Sequence, residues 1–158
     1  ESGTTFLENA RIKARAAHEL ACAAVLADDS GLIVDALDGA PGVYSSRYSG
    51  VDGDDSANNA KLLRELSAVP LAKRTARFAS VLVFIDEDGL ETVAEGFVEG
   101  HIGLVERGEH GFGYDPLFFP DAYNGEVTMA ELTQSQKNAI SHRGNALRKL
   151  RKKLHPSD

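Results

Sequence analysis

A chain of 158 residues has the length of one domain, and folding such a domain buries roughly two thirds of the unfolded surface. A net charge of −7 argues against a protein that binds nucleic-acid polymers, which needs a basic face to displace counterions. One cysteine cannot form an internal disulfide, and no apolar run approaches the roughly 20 residues of a membrane span. We therefore expect a soluble cytoplasmic domain.

The first element is a helix predicted from Phe6 to Ala24. Thr5, followed three residues later by Glu8, predicts a capping box at its start. The predicted inner face carries small and apolar side chains at helical spacing, namely Phe6, Ala10, Ala14, Ala17 and Ala21. Cys22, near the end, is expected to be a small core residue. Lys13 falls at the edge of the inner face, where it either extends into solvent or reaches an anion.

The next segment, from Ala23 to Leu37, has two strand-like apolar runs on either side of the acidic pair Asp28 and Asp29. Adjacent carboxylates in such a place are costly to bury unless they are paired. In an extended backbone their side chains point to opposite faces, so one can face a cleft while the other pairs locally. A turn in which the aspartates accept backbone N–H bonds explains the pair equally well.

The middle of the chain alternates between helix and strand. After a loop at 39–42, a helix is predicted over Asp55–Leu66 and a strand over Arg77–Ile85. Asp86–Gly89 is a predicted turn that leads into a return strand over Leu90–Val98. Together with the helices at the two ends, this order predicts an α/β domain with a mixed central sheet and flanking helices.

The glycine- and aromatic-rich segment GFGYDP at 111–116 is predicted to be a loop that leads into a short strand. It is not a phosphate-binding P-loop, since no Gly-Lys-Ser/Thr follows. Glycines beside aromatic residues suit a loop on which a flat ligand stacks, with Asp115 accepting hydrogen bonds from it. A hairpin that packs its aromatic rings into the core is an equally good explanation.

The last helix begins at a second predicted capping box, formed by Thr133 and Gln136, and is expected to be interrupted near Ser141 and Gly144. Its residues include a hydroxyl and three groups that are or can become cationic: Lys137, Ser141, His142 and Arg143. This cluster is a candidate anion site, because arginine offers a planar fork for phosphate. The alternative explanation is an ordinary basic helix surface.

Five segments, in this order, resemble the inosine triphosphate pyrophosphatase family, which acts on non-canonical purine nucleoside triphosphates. They are ESGTTFLENA at 1–10 with Lys13, ADDSGL at 27–32, GAPGVYSSRY at 39–48, GFGYDP at 111–116, and AEL at 130–132 followed by KNAISHRG at 137–144. Each motif alone is moderately specific, whereas five in the family's order and spacing are highly specific.

The resemblance implies a homodimer and a two-lobed α/β fold with a nucleotide cleft between the lobes. The net charge and hydropathy already argue against a nucleic-acid or membrane partner. It implies Mg²⁺-dependent hydrolysis of ITP, dITP and XTP to the monophosphate and pyrophosphate. By the same resemblance, Asp29 is the catalytic carboxylate, and Glu1 with Asp29 positions the metal. The implied substrate contacts are Lys13, Ser30, Phe112, Gly113, Tyr114, Asp115, Lys137, His142 and Arg143.

The family pattern also includes an initial strand and a Ser/Thr-Gly-Asn-x-x-Lys loop that binds the triphosphate. We expect the single domain, residues 1–158, to lack both, and its sheet to expose the edge where that strand would pair. Two other functions are compatible with the sequence. One is a related pyrophosphatase acting on modified pyrimidine or canonical triphosphates, and the other is a binding module that holds a nucleotide without turnover.

Overall fold

The structure, a computed structural model, describes residues 2–156, which form one sheet with helices on both faces. The strands are β1 (Val25–Val34), β2 (Thr75–Ile85), β3 (Glu91–Ile102) and β4 (Phe118–Pro120). The α-helices are α1 (Phe6–Ala21), α2 (Asp55–Glu65), α3 (Gln134–Ile140) and α4 (His142–Leu154). Short 3₁₀ turns occupy Asp35–Leu37, Gly42–Arg47, Leu71–Lys73, Asp115–Leu117, Asp121–Tyr123 and Met129–Glu131.

The four strands lie in the order β1-β2-β3-β4, and each neighbouring pair is antiparallel. The predicted α/β class with flanking helices is confirmed. A mixed sheet would also contain a parallel pair, which does not occur among residues 2–156. The connection from β1 to β2 contains α2, yet it returns to the end of the sheet where β1 stops. The two strands therefore run in opposite directions and are not joined by a parallel crossover.

The two faces of the sheet carry separate cores because neighbouring side chains of a strand point in opposite directions. On β2, Val81 and Val83 pack against Ala10 and Ala14 of α1. Leu82, between them, packs on the other face in a cluster with Ala94, Ala146 and Leu150. A larger core continues on that face towards α2 and β4 and includes Leu32, Leu62, Phe78, Val98 and Phe118.

Helix α1 begins where the sequence predicted but ends three residues earlier. Half of the predicted capping box is present, because the Thr5 hydroxyl accepts the N–H of Glu8 at 3.1 Å. The Glu8 carboxylate accepts the backbone N–H of Thr4, the residue before Thr5. Ala10 and Ala14 are buried as expected, but Ala17 and Ala21 are exposed, because only the first turns of the helix lie on the sheet. The expectation that Cys22 is a core residue is wrong. It caps the helix in a left-handed conformation, with its side chain exposed.

The remaining elements agree with their predicted positions to within a few residues. The turn at 86–89 is present, and β3 runs four residues beyond the predicted end of its strand. Leu62 and Leu66 of the α2 region are fully buried, and Leu63 is partly buried against the same core. No helix in the described part of the chain is long and apolar enough to cross a membrane.

The predicted interruption of the last helix is a sharp break at Ser141. The capping box of Thr133 and Gln136 starts α3, as expected. Ser141 then adopts an extended conformation (φ −64°, ψ 153°), and its hydroxyl accepts the N–H of Gly144 at 3.0 Å, so it is the N-cap of α4. The break places His142 and Arg143 in the first turn of a new helix that lies across β2 and β3.

The contact between α4 and β3 is close enough to require glycine at position 96. A Cβ on Gly96 would lie 2.2 Å from the backbone N of Ala146 and 2.2 Å from the carbonyl oxygen of His142. We expect Gly96→Ala to lower the free energy of unfolding by about 3 kcal/mol or more, because the helix backbone must move away. Urea denaturation followed by circular dichroism measures this loss.

Gly53→Ala is the matched control for this substitution. Its Cβ would have no atom within 4 Å, although its φ of +78° is unfavourable for alanine. We expect it to cost only about 1 kcal/mol. Equal losses in the two variants would contradict close packing at Gly96.

Candidate active site

A cavity of about 550 Å³ lies between the sheet and the helices α3 and α4, a size typical of small-molecule sites. Its walls include Ser30, Gly31 and Leu32 of β1, the loop at 112–115, and the residues around the α3–α4 break. All the predicted substrate contacts except Lys13 line it: Ser30, Phe112, Gly113, Tyr114, Asp115, Lys137, His142 and Arg143. The fold thus brings together segments that are more than 100 residues apart in the chain.

The acidic pair lies in the middle of β1, so its side chains point to opposite faces of the sheet. Asp29 faces α1 and is buried, with its Oδ1 3.1 Å from Nζ of Lys13. Lys13 also donates to the backbone carbonyl of Asp28 at 3.0 Å. The anion that Lys13 reaches is therefore the carboxylate predicted to be catalytic, directly beside Ser30 at the cavity wall.

The predicted metal ligands are Glu1 and Asp29, and Glu1 lies outside the described residues. Among residues 2–156, no group of three or more His, Cys, Asp or Glu could hold a metal ion. Mg²⁺ does not require such a cage, since it is commonly bound through one or two carboxylates and the phosphates of a substrate. The buried carboxylate of Asp29 fits that requirement.

A buried ion pair holds the aromatic loop, residues 111–116, in place. Asp115 and Lys137 are 4 % and 9 % exposed, and their Oδ2 and Nζ atoms are 2.6 Å apart. The same Oδ2 accepts the backbone N–H of Phe112 at 3.1 Å. Gly111 passes so close to this carboxylate that a Cβ would lie 2.2 Å from Oδ2. Lys137 therefore holds the loop, whereas the sequence suggested only a cation in an anion-binding cluster.

The two aromatic residues of this loop have different surroundings. Phe112 is 67 % exposed, and its ring centroid lies 4.6 Å from the ammonium nitrogen of Lys137, so the ring is available for stacking with a ligand. Tyr114 is buried and donates its hydroxyl to the carbonyl of Ser45 at 2.6 Å. Burial, more than any neighbouring charge, raises the pKa of Tyr114 well above its ordinary value. Its hydroxyl therefore anchors the cavity wall and stays protonated.

His142 lines the cavity and is held flat against the sheet. Its ring stacks on Phe78, with the centroids 5.1 Å apart and the planes inclined by 19°. Burial, followed by the charges of Arg143 and Lys137, lowers the pKa of His142 to about 4. The imidazole is therefore neutral at pH 7, with one nitrogen that donates a hydrogen bond and one that accepts.

Helix α2 supplies two residues that the sequence analysis did not identify as part of the site. Asp55 Oδ2 accepts the backbone N–H of Gly113 at 2.9 Å, and Asn59 Nδ2 donates to its carbonyl at 3.0 Å. Both backbone groups of Gly113 are thus bound by one face of a helix. The spacing of four residues between Asp55 and Asn59 puts them on the same face of the helix, and this spacing is the one sequence feature that could have indicated a shared role. Nothing in the sequence indicated that the face meets the loop.

The family model that matches this sequence is that of the Ham1 family, over residues 1–153. The chain belongs to the Ham1 family. A dITP/XTP pyrophosphatase of Oceanobacillus iheyensis is 53 % identical over 156 residues, which cover 98 % of this chain and 78 % of the relative. A dITP/XTP pyrophosphatase of Nocardia farcinica is 56 % identical over 153 residues, which cover 95 % of this chain and 72 % of the relative.

Solved structures of Ham1 proteins have the same fold. The Ham1 protein of Staphylococcus aureus superposes with a TM-score of 0.91 at 43 % identity, covering 100 % of this chain and 80 % of its own. The nucleoside-triphosphatase, or dITP/XTP pyrophosphatase, of Mycobacterium abscessus gives a TM-score of 0.82 at 48 % identity, and the match covers 98 % of this chain and 78 % of the other. The resemblance stated from the five motifs is therefore confirmed.

The lowered pKa of His142 predicts how the stability of this Ham1 family member depends on pH. As pH falls below the ordinary histidine pKa of 6.5, the unfolded chain takes up a proton that the folded protein does not bind until about pH 4. Stability is therefore lost between pH 6.5 and pH 4 and is unaffected by this group above pH 7. The loss amounts to about 3 kcal/mol.

Urea denaturation of the wild type and of His142→Asn between pH 7.5 and pH 4.5 tests this prediction. We expect the stability of the wild type to fall more steeply than that of the variant over this range. Parallel pH profiles would contradict a half-buried His142 that stays neutral in the folded protein.

Proposed function

We propose that this chain is a nucleoside triphosphate pyrophosphatase that hydrolyses dITP, XTP and ITP to the monophosphate and pyrophosphate. The observation that carries the proposal is the arrangement along β1. Ser30 and Gly31 line a cavity large enough for a purine, and the buried carboxylate of Asp29 directly precedes them. The relatives named dITP/XTP pyrophosphatase, which align with almost the whole chain, support the same reaction.

The exposed ring of Phe112 is suited to stacking on a purine base in the cavity. Neutral His142 and the guanidinium of Arg143 are suited to reading the polar edge of that base. A 6-oxo purine offers acceptors at O6 and N7, whereas adenine has a donor at position 6. A site built for one edge leaves buried polar groups unpaired when it meets the other, which can discriminate by about 10⁴- to 10⁵-fold.

A triphosphate brings about four negative charges to a protein whose own net charge is −7, so local cations must offset the repulsion. We propose that Lys13 and a bound divalent cation supply this local positive charge, since Lys137 is buried in its pair with Asp115 and Arg143 faces the base. Asp29 then takes the proton of the attacking water on a carboxylate oxygen, while Lys13, 3.1 Å away, orients that carboxylate. Both residues lie on the α1 side of β1, so we expect the phosphates to pass the edge of this strand.

The proposal includes Mg²⁺, held by Asp29 together with the phosphates and with Glu1, which the resemblance assigns as a ligand. Bound there, the ion would neutralise phosphate charge and lower the barrier to cleavage. Homodimerisation, which the family resemblance implies, and a cytoplasmic location, which we expect from the composition, belong to the same proposal. Analytical ultracentrifugation tests the dimer independently of activity.

A substrate panel tests the proposed activity. Pyrophosphate release is measured with Mg²⁺ for dITP, XTP, ITP, ATP, GTP, dTTP and UTP. We expect kcat/KM for the 6-oxo purines dITP, XTP and ITP to exceed that for ATP by at least about 100-fold. Equal rates on ITP and ATP would contradict the proposed selectivity, and preferred cleavage of dTTP or UTP would favour the pyrimidine alternative. Binding of ITP without any turnover would favour the binding module.

Asp29→Asn tests the catalytic assignment. We expect kcat for dITP to fall by about 10³-fold, because the amide cannot accept the proton of water, while the circular dichroism spectrum is unchanged. Asp35→Asn is the matched control, since Asp35 lies just beyond β1 in an exposed ion pair with Arg77, and it should keep the wild-type kcat. An unchanged kcat in Asp29→Asn would remove this carboxylate from the reaction.

A further inference from the structure

An ion pair joins strand β1 to helix α4 beside the cavity. Nε of Arg143 lies 2.9 Å and Nη2 lies 2.7 Å from Oδ2 of Asp28. The same oxygen accepts a hydrogen bond from Ser30 Oγ at 3.2 Å. Arg143 and Ser30 both line the cavity, and Asp28 contacts both of them. Asp28 has no role in the function proposed above.

The pair adds little to the stability of the fold. The side chains of Arg143 and Asp28 are 50 % and 34 % exposed, and ion pairs at such positions contribute roughly 0–1 kcal/mol. Arg143 also occupies the first turn of α4, where the positive end of the helix dipole disfavours a cation. The contact with Asp28 offsets this repulsion and holds a long, flexible side chain in one orientation.

The orientation matters because of the hydrogen-bonding capacity of guanidinium. Arginine has five N–H donors, and Asp28 engages Nε and Nη2, which leaves the donors of the outer edge for a ligand. A 6-oxo purine presents two adjacent acceptors, O6 and N7, which match a guanidinium edge. A 6-amino purine presents a donor in place of O6, so a fixed guanidinium repels it.

We propose that Asp28 is a positioning residue for base selection, which holds Arg143 so that its outer edge reads the O6 and N7 acceptors of a 6-oxo purine. The inference rests on the proposed function and adds the residue that orients the reader. A different use of Arg143, as a contact to phosphate, makes a different prediction. Phosphates are the same in dITP and dATP, so loss of the Asp28 contact would then weaken both substrates equally.

The test is a double-mutant cycle on Asp28→Asn and Arg143→Ala, with Asp35→Asn as the control. Asp35 is a comparable choice, because it also pairs with an arginine, Arg77, at 3.2 Å on an exposed surface away from the cavity. The measured quantities are kcat/KM for dITP and for dATP, and the dissociation constants of IMP and AMP by calorimetry.

We expect Asp28→Asn to lower the dITP-to-dATP ratio of kcat/KM about tenfold, in line with the discrimination between bases that one bidentate contact provides. Arg143→Ala should lower it at least as much, and adding Asp28→Asn to Arg143→Ala should change it less than twofold. The IMP-to-AMP preference should follow the same pattern, the control should match the wild type, and the unfolding midpoint should be unchanged in every variant.

Equal weakening of dITP and dATP by Asp28→Asn would overturn the proposal, as would an equally large effect of Asp28→Asn in the Arg143→Ala background. Failure of the proposed function gives a different result, since the wild type would then release no pyrophosphate from dITP. In that case the preference for IMP over AMP still decides whether Asp28 positions Arg143, because it requires binding alone.

Discussion

The first turn of α4 lies directly on the backbone of β3, and the geometry of the cavity depends on this contact. Gly96 allows the approach because any side chain there would occupy the space of the Ala146 and His142 backbones. Ser141 supplies the other requirement, since its extended conformation ends α3 and lets α4 start at a new angle. The helix then holds His142 against Phe78 and directs Arg143 towards β1.

Opposite charges organise the rest of the site. Three cations, each predicted to meet the substrate, contact three carboxylates: Lys13 with Asp29, Lys137 with Asp115, and Arg143 with Asp28. Burial differs among the pairs, and so does their effect. The pair of Lys137 and Asp115 is nearly inaccessible and fixes the aromatic loop, because breaking such a pair leaves an uncompensated charge. Asp29 is also buried in its pair with Lys13, whereas Arg143 and Asp28 are partly exposed, so their pair orients a side chain at much lower cost.

In the proposed function, the residues for base selection and those for chemistry at the phosphate lie on different faces of the same strand. Because side chains alternate along β1, Asp28 faces α4 and the cavity, whereas Asp29 faces α1 and Lys13. Two adjacent residues can therefore serve the base and the phosphate separately, one through Arg143 and the other through its own carboxylate. The acidic pair is tolerated inside a strand that is otherwise largely apolar because each carboxylate has a cationic partner on its own face, Arg143 for Asp28 and Lys13 for Asp29.

Local signals in the sequence determined the helix starts at Thr5 and Thr133 and the break at Ser141, since each depends on the chemistry of a few neighbouring residues. At the acidic pair they left a strand and a turn equally open, and the structure has a continuous strand. The motifs also determined the family. The antiparallel sheet and the exposure of Cys22 were not predictable in this way, because they depend on where a connection returns and where a helix leaves the sheet.

Only the tertiary structure decided which charged groups meet. The sequence indicated that one aspartate of the pair could find a local partner, and Asp28 does accept a hydrogen bond from Ser30. Its ionic partner, Arg143, lies 115 positions away in the chain and could not be identified from the sequence. The hydrogen bonds from Asp55 and Asn59 of α2 to the backbone of Gly113 likewise join residues that are more than 50 positions apart. Hydrogen bonds and ion pairs of this kind depend on distances between packed elements, whereas sequence spacing reports only the geometry within a single element.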